Sequence, residues 1–106
     1  MMGTLRYGYP PLEVTLDDRV LAHLQFVIIT KLRRKESFVF SWKDDPDLSE
    51  GRSSIWIEPS IPLHFKYTDP EQPKLNRAWI DVLMRSAYSA DGLKVVEEPH
   101  PNKGSD

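Results

Sequence analysis

The chain contains no cysteine. Disulfides, thiolate metal sites and thiol nucleophiles are therefore excluded, and a protein without them fits the reducing cytoplasm, where we predict that it resides. The start of the chain, "MMGTLRYGYPP", has no apolar segment of the kind found in a secretion signal. The longest apolar run, 26–29, is far shorter than the ~20 residues that a membrane span requires, so we expect no membrane partner.

The chain also lacks a large net charge. Its 106 residues include 14 Lys and Arg and 16 Asp and Glu, which gives a formal net charge of −2. This balance excludes the strong global positive field of a general polyanion binder, although it allows a local basic patch. With 40% hydrophobic and 28% charged residues, the composition is typical of a globular protein and not of a disordered one.

Motifs for catalysis and metal binding are missing as well. His23, His64 and His100 do not have metal-ligand spacing, and the chain has no glycine-rich phosphate loop and no nucleophile elbow. The acidic segment 43–51, "KDDPDLSEG", lacks the glycine and the terminal glutamate of a calcium loop and is predicted to be a solvated turn. We therefore predict no enzyme activity, no metal site and no cofactor.

Two segments have the periodicity of amphipathic helices. The first, "TLDDRVLAHLQFVIITKLRR", has Thr15 or Asp17 as its N-cap. The second, "LNRAWIDVLMRSAYSADGL", has Asn76 as its N-cap, Trp79 on its inner side and Gly92 as its stop. The apolar stripe of the first helix is predicted to face the core and consists of Val20, Leu21, Leu24, Val27, Ile28 and Leu32.

Alternation with period two predicts the strands around these helices. The segments "SFVFSW", "SSIWIE" and "IPLHFKY" all alternate, and the short link "EPS" predicts that the last two form a hairpin. An opening hairpin, "GTLRYG" with "LEV", and a closing strand, "LKVV", complete the order strand, strand, helix, three strands, helix, strand. This order predicts an α+β fold, with a mainly antiparallel sheet and both helices packed on one face.

The length of the chain and its composition predict one domain over residues 1–97. Residues 98–106, "EPHPNKGSD", contain no apolar anchor. We therefore predict that they form a disordered tail that contributes nothing to folding.

The segments "MGTLRYG", "DDRVLAHLQFVIITKLRRKESFVFSW", "GRSSIWIEPSIPLHFKY" and "LNRAWIDVLMRSAYSADGL" resemble a family of short uncharacterised actinobacterial proteins, over about residues 2–97. Some members are labelled ATP-dependent DNA ligase, which implies an association with nucleic-acid chemistry. Such ligases use a Lys-x-Asp-Gly motif, whereas the nearest match here, 43–46, is "KDDP", with proline in place of glycine. The resemblance therefore implies an accessory role beside a ligase and not ligation by this chain.

The first functional hypothesis is a module that contacts the phosphates of nucleic acid. The basic run 31–35, "KLRRK", ends the first helix. The helix dipole stabilises each cation there by about 0.3–1 kcal/mol, which by itself explains the run as a structural feature. The alternative is that these cations contact phosphates. On the second face of the predicted sheet, beside His64 and Lys66, Trp56 either stacks on a base or a peptide side chain, or packs against Val39 and an adjacent strand or the opening hairpin. The candidate residues are Arg33, Arg34, Lys35, Arg52, Trp56, His64 and Lys66.

The second hypothesis is a protein-interaction or homo-oligomerising module. Phe26 lies among polar residues opposite the apolar stripe, so that either a loop of the chain or a partner must cover it. The candidate surface is an exposed sheet edge or the outer side of the first helix, with Arg19, His23, Phe26 and Thr30. The two hypotheses differ in whether Arg33, Arg34 and Arg52 form one continuous positive patch.

Overall fold

The structure is a computed structural model that describes residues 1–43 and 51–100. The described elements follow the predicted order, so the α+β class is confirmed. They are β1 (Met2–Tyr7), β2 (Leu12–Asp17), α1 (Asp18–Arg33), β3 (Phe38–Lys43), β4 (Arg52–Ile57), β5 (Leu63–Lys66), α2 (Arg77–Ala87) and β6 (Leu93–Lys94).

The strands form two three-stranded sheets, whereas we predicted one sheet. The first sheet has the order β2-β1-β5 and is antiparallel throughout. The second has the order β4-β3-β6, with β4 antiparallel and β6 parallel to β3. The predicted hairpin of β4 and β5 is therefore wrong, because β4 pairs with β3 and β5 pairs with β1.

Hydrogen bonds of Tyr7 fix the place where the chain crosses from the second sheet to the first. The Tyr7 hydroxyl donates to the Trp56 carbonyl oxygen and accepts from the Glu58 backbone N–H at 3.1 Å. After this point the Gly8 N–H donates to the Pro62 carbonyl oxygen at 3.0 Å, which aligns β5 beside β1. These contacts join residues about fifty positions apart, so the short link "EPS" does not decide which strands pair.

The helices pack against each other, and each covers one sheet. Helix α1 contacts β1 and β2, whereas α2 contacts β3 and β6. The core between these layers contains both sheets' inner side chains, and burying each large one contributes about 1.5–3 kcal/mol. The side chains with zero exposure include Leu5, Leu21, Leu24, Val27, Ile28, Phe40, Ile57 and Leu93. The predicted stripe of α1 is thus buried at its centre, and Val20 and Leu32 at its ends are partly buried.

The predicted N-caps at Asp17 and Asn76 are confirmed. The Asp17 carboxylate accepts from the Arg19 N–H at 3.1 Å, and the Asn76 side chain accepts from the Ala78 N–H at 3.0 Å. Among residues 1–43 and 51–100, no helix has both the length and the apolar character needed to cross a membrane.

Candidate binding surfaces

The outer face of the second sheet has an exposed tryptophan among cationic and hydroxyl side chains. Alternate residues of a strand point to the same side of a sheet. The registers of β3 with β4 and β6 place the outward-pointing residues of the three strands side by side. The buried Phe40 and Ile57 point the other way, toward the core. We call this outer surface the open face; it consists of Val39, Ser41, Lys43, Arg52, Ser54, Trp56 and Lys94.

Trp56 is 58% exposed on the open face, so that it lies beside Val39 without being covered. Two cations from opposite edge strands act on one carboxylate there. Lys94 Nζ lies 2.9 Å from Asp91 and lowers the pKa of that carboxyl below its usual value, and the charge of Arg52 contributes in the same direction. The open face is thus positively charged across its width, with Asp91 as a local counter-ion.

His64 and Lys66 were expected beside Trp56, and this placement is wrong. Both are exposed, but they lie on β5 in the first sheet, where the register places them beside Arg6 and Thr4. The open face instead includes Lys43 and Lys94, which were not among the predicted candidates. Lys43 could have been predicted, because it continues the alternation of Val39 and Ser41 along β3. Lys94 could not, because its place on the open face depends on the pairing of β6 with β3.

For Lys31 the structural explanation of the basic run applies. This side chain is 3% exposed, and its Nζ lies 2.9 Å from Glu36 Oε1. The ammonium group also lies 4.1 Å from the ring centroid of Tyr88 and 5.3 Å from that of Phe38, so cation–π attraction adds to the ion pair. Lys31 is therefore a structural part of the junction between α1, β3 and α2.

The three arginines proposed for one patch lie in different surroundings. Arg33 lines a groove beside α1, Arg34 donates to the Tyr88 hydroxyl at 3.2 Å, and Arg52 lies on the open face. Arg33, Arg34 and Lys35 are exposed at the end of α1.

The groove beside α1 has a volume of about 660 Å³ and is formed by that helix and segment 67–75. The Asp18 carboxylate holds this segment in place by accepting from the Asp69 N–H at 2.9 Å and from the Thr68 N–H. Phe26 is 47% exposed in this groove. We call it the α1 groove; its lining consists of Ala22, Gln25, Phe26, Ile29, Thr30, Arg33, Tyr67, Asp69, Pro70, Glu71, Gln72, Pro73 and Leu75.

A hydrogen bond between the two walls fixes the floor of the α1 groove. The Tyr67 hydroxyl donates to Gln25 Oε1 at 2.6 Å. Burial, together with the nearby Asp18 carboxylate, raises the pKa of Tyr67 to about 12, so the phenol stays protonated and remains a donor at neutral pH.

His23 was expected on the outer side of α1, but it is fully buried. Its Nε2 accepts from the Asn76 N–H at 2.8 Å, its Nδ1 lies 2.7 Å from the Arg19 carbonyl oxygen, and its ring packs against Trp79 in a tilted arrangement with 4.4 Å between centroids. The reason is that the start of α2 packs on this side of α1. Burial lowers the pKa of His23. The expected interaction stripe is therefore divided: His23 belongs to the core, while Phe26 and Thr30 line the α1 groove.

Arg19 binds the first residue of the expected tail. Its Nε and Nη2 donate to the Glu98 carboxylate at 2.8 and 2.6 Å, and these bonds hold the pKa of Glu98 at about 2. Asn76 Nδ2 donates to Glu98 and to the Pro99 carbonyl oxygen, both at 2.9 Å. Residues 98 and 99 are therefore attached to the body, while residues 101–106 lie outside the described ranges.

The acidic segment that we compared with a calcium loop, and the "KDDP" match to the ligase motif, fall mostly on residues 44–50, which lie outside the described ranges. Within the described ranges, no group of three His, Asp or Glu side chains is placed to hold a metal ion.

A family model described as a domain of unknown function, DUF7882, matches residues 2–98. The resemblance of this sequence to a family of unknown function is thereby confirmed, and the description of the family names no activity, substrate or partner. No curated protein and no solved structure matches the chain.

Proposed function

Because this chain belongs to the DUF7882 family, whose function is unknown, we propose its function from its own geometry: it is a small module that binds single-stranded nucleic acid through the open face. One observation carries the proposal. Trp56 is 58% exposed on a sheet face that also presents Lys43, Arg52 and Lys94. We propose an accessory role without catalysis of its own, in the cytoplasm, which the absence of cysteine favours.

The side chains of the open face match the two parts of a single strand. An exposed aromatic ring stacks on a base, and such contacts contribute about 1–3 kcal/mol per base. Lysine and arginine elsewhere on the same face attract the phosphates of the strand. A duplex keeps its bases stacked inside the helix, so Trp56 favours a single strand.

The end of α1 has further exposed cations that are close to the open face in the sequence. Arg34 and Lys35 are exposed and precede β3 by only a few residues, and Trp56 pairs with Val39 near the start of that strand. On the open face itself, a single strand that stacks on Trp56 has the exposed cations of Lys43 and Arg52 in one direction along β3 and β4.

The proposal is tested by titrating labelled single-stranded and duplex DNA of the same sequence at several salt concentrations. Trp56→Ala should weaken single-strand binding by about 5- to 140-fold, as a stacking energy of about 1–3 kcal/mol implies. Arg52→Ala and Lys43→Ala should each reduce the slope of log affinity against log salt by about 0.7 per lost phosphate contact.

Lys66→Ala and His64→Ala are the matched controls, because both residues are exposed on the first sheet. They should leave the affinity nearly unchanged. The proposal is refuted if the protein does not bind single strands, if Trp56→Ala binds like the unchanged protein, or if the control variants weaken binding as much as Arg52→Ala.

A further inference from the structure

We infer that two copies of this chain associate through their α1 grooves, around a two-fold axis that passes close to Phe26. Phe26 is 47% exposed in a groove that α1 and segment 67–75 form together. Single exposed hydrophobic residues are ordinary, but one that lies in a groove with charges of both signs has the character of an interface. This inference does not depend on the proposed function.

The charges of the α1 groove lie on either side of Phe26 along the helix. Helix α1 has 16 residues, Asp18–Arg33, and Phe26 lies at its centre. At 1.5 Å per residue, Arg33 lies about 10 Å from Phe26 toward the C-terminus, and Asp18 lies about 12 Å away toward the N-terminus. The carboxylate of Asp18 accepts from the Asp69 N–H at 2.9 Å, so the acidic wall lies at the N-terminal end.

The acidic wall consists of Asp69 and Glu71, which are adjacent because the Glu71 N–H donates to Asp69 Oδ1 at 2.9 Å. Both line the α1 groove with Arg33. Within residues 1–43 and 51–100, neither Arg33 nor the Glu71 carboxylate makes an ion pair. In the described part of the chain, the groove thus has an unpaired cation toward the C-terminal end of α1 and an unpaired anion toward its N-terminal end, with Phe26 between them.

A two-fold axis perpendicular to α1 reverses the direction of that helix in the second copy and exchanges these ends. Arg33 of each copy then lies at the acidic wall of the other copy, and the two Phe26 rings meet near the axis. Such a surface is complementary to itself, as an isologous dimer requires. One helix and one groove make a small interface, so we expect a reversible dimer and not an obligate one.

Sedimentation equilibrium at concentrations up to about 1 mM, where even a millimolar Kd is detected, measures the association. The unchanged protein should form dimers that weaken with salt, and Phe26→Ser should be monomeric over the same range. Leu12→Ser is the matched control, because Leu12 is 44% exposed on β2 outside the groove. It should dimerise like the unchanged protein.

A charge exchange tests the two-fold geometry itself. Arg33→Glu and Glu71→Arg should each weaken self-association, because each homodimer then contains like charges at both contacts. An equimolar mixture of the two variants should dimerise again, because both contacts of the heterodimer are attractive. Arg85→Glu, on the exposed side of α2, is the control for charge reversal and should have no effect.

The inference is overturned by a protein that stays monomeric up to the highest concentration, by dimers that Phe26→Ser leaves intact, or by a mixture that fails to restore association. The first result would assign the α1 groove to a different occupant, and the other two would place the dimer contact elsewhere. Trp56→Ala should leave dimerisation unchanged, so failure of the proposed function and failure of this inference are distinguishable.

Discussion

Replacing His23 tests the central junction between the two helices. His23 is fully buried, and its two ring nitrogens face different partners, the N–H of Asn76 at 2.8 Å and the carbonyl oxygen of Arg19 at 2.7 Å. Since Asn76 offers only a donor and Arg19 only an acceptor, the ring must be neutral, with its proton on Nδ1. Protonation of Nε2 would direct an N–H at the Asn76 N–H and place a charge in the core beside Trp79.

The pKa of His23 is lowered below its usual value, mainly because of burial and also because of the charge of Arg19. The hydrogen bond to the Arg19 carbonyl oxygen and the Glu98 carboxylate oppose this shift. In the unfolded chain the ring takes up a proton below about pH 6.5, whereas the folded protein binds it only at a lower pH. The free energy of unfolding should therefore fall as the pH decreases below about 6.5, by at most about 1.4 kcal/mol per pH unit. The fall should stop once the pH passes the folded pKa.

The salt bridge of Glu98 titrates in a separate range of pH. Its pKa is lowered to about 2 through its hydrogen bonds to Arg19 and Asn76, so the folded protein holds the carboxylate ionised below the usual value of 4.5. Its contribution to stability is present at neutral pH and is lost as the pH falls from about 4.5 toward 2. Loss of stability between pH 6.5 and 5 therefore reports on His23.

The assay is urea unfolding at a series of pH values from 5 to 8, on the unchanged protein and on His23→Phe. The substitution leaves the buried Asn76 N–H without its acceptor, so stability at pH 7.5 should decrease by about 1–3 kcal/mol. Between pH 6.5 and 5 the variant should be nearly independent of pH, while a His64→Asn control keeps the slope. A His23→Phe variant that keeps the slope of the unchanged protein would refute the assignment.

Four further substitutions test the packing and the backbone. Trp79→Ala should lower the free energy of unfolding by about 3–5 kcal/mol in a urea titration, and Trp56→Ala should lower it by much less, because Trp79 is 3% and Trp56 58% exposed. Equal losses would contradict the exposure of Trp56 on the open face. Lys35→Gly should raise stability by about 1 kcal/mol in thermal unfolding, since Lys35 has a φ of 59° at the end of α1, and an unchanged Tm would argue against this strain. Gly92→Ala should destabilise by more than about 1 kcal/mol, because Gly92 has a φ of 82° and an added Cβ would lie 2.4 Å from the Val39 carbonyl oxygen; a variant of normal stability would show that β6 shifts freely.

The sequence by itself determined the helices, because helix formation depends on interactions between residues three or four positions apart. The N-caps at Asp17 and Asn76 and the buried stripe of α1 follow from such local patterns. Alternation likewise determined which side chains share a face within one strand, including Arg52 and Trp56 on β4.

Only the tertiary structure decided which strands are neighbours. Alternation assigns a side chain to a face but contains no information about the strand beside it, so the pairing of β5 with β1 had no local signal. This pairing places His64 and Lys66 in the first sheet, and the pairing of β6 with β3 adds Lys94 to the open face.

On α1, too, the sequence determined one feature and the tertiary structure decided another. Periodicity identified the outward residues, but the chain that covers them comes from far away in the sequence. Asn76 reaches His23 across 53 positions, and Asp69 reaches Asp18 across 51. These hydrogen bonds bury His23 and leave Phe26 in an open groove. Both outcomes depend on how segment 67–76 packs against α1. No short-range pattern in the sequence therefore distinguishes His23 from Phe26 on the polar side of the helix.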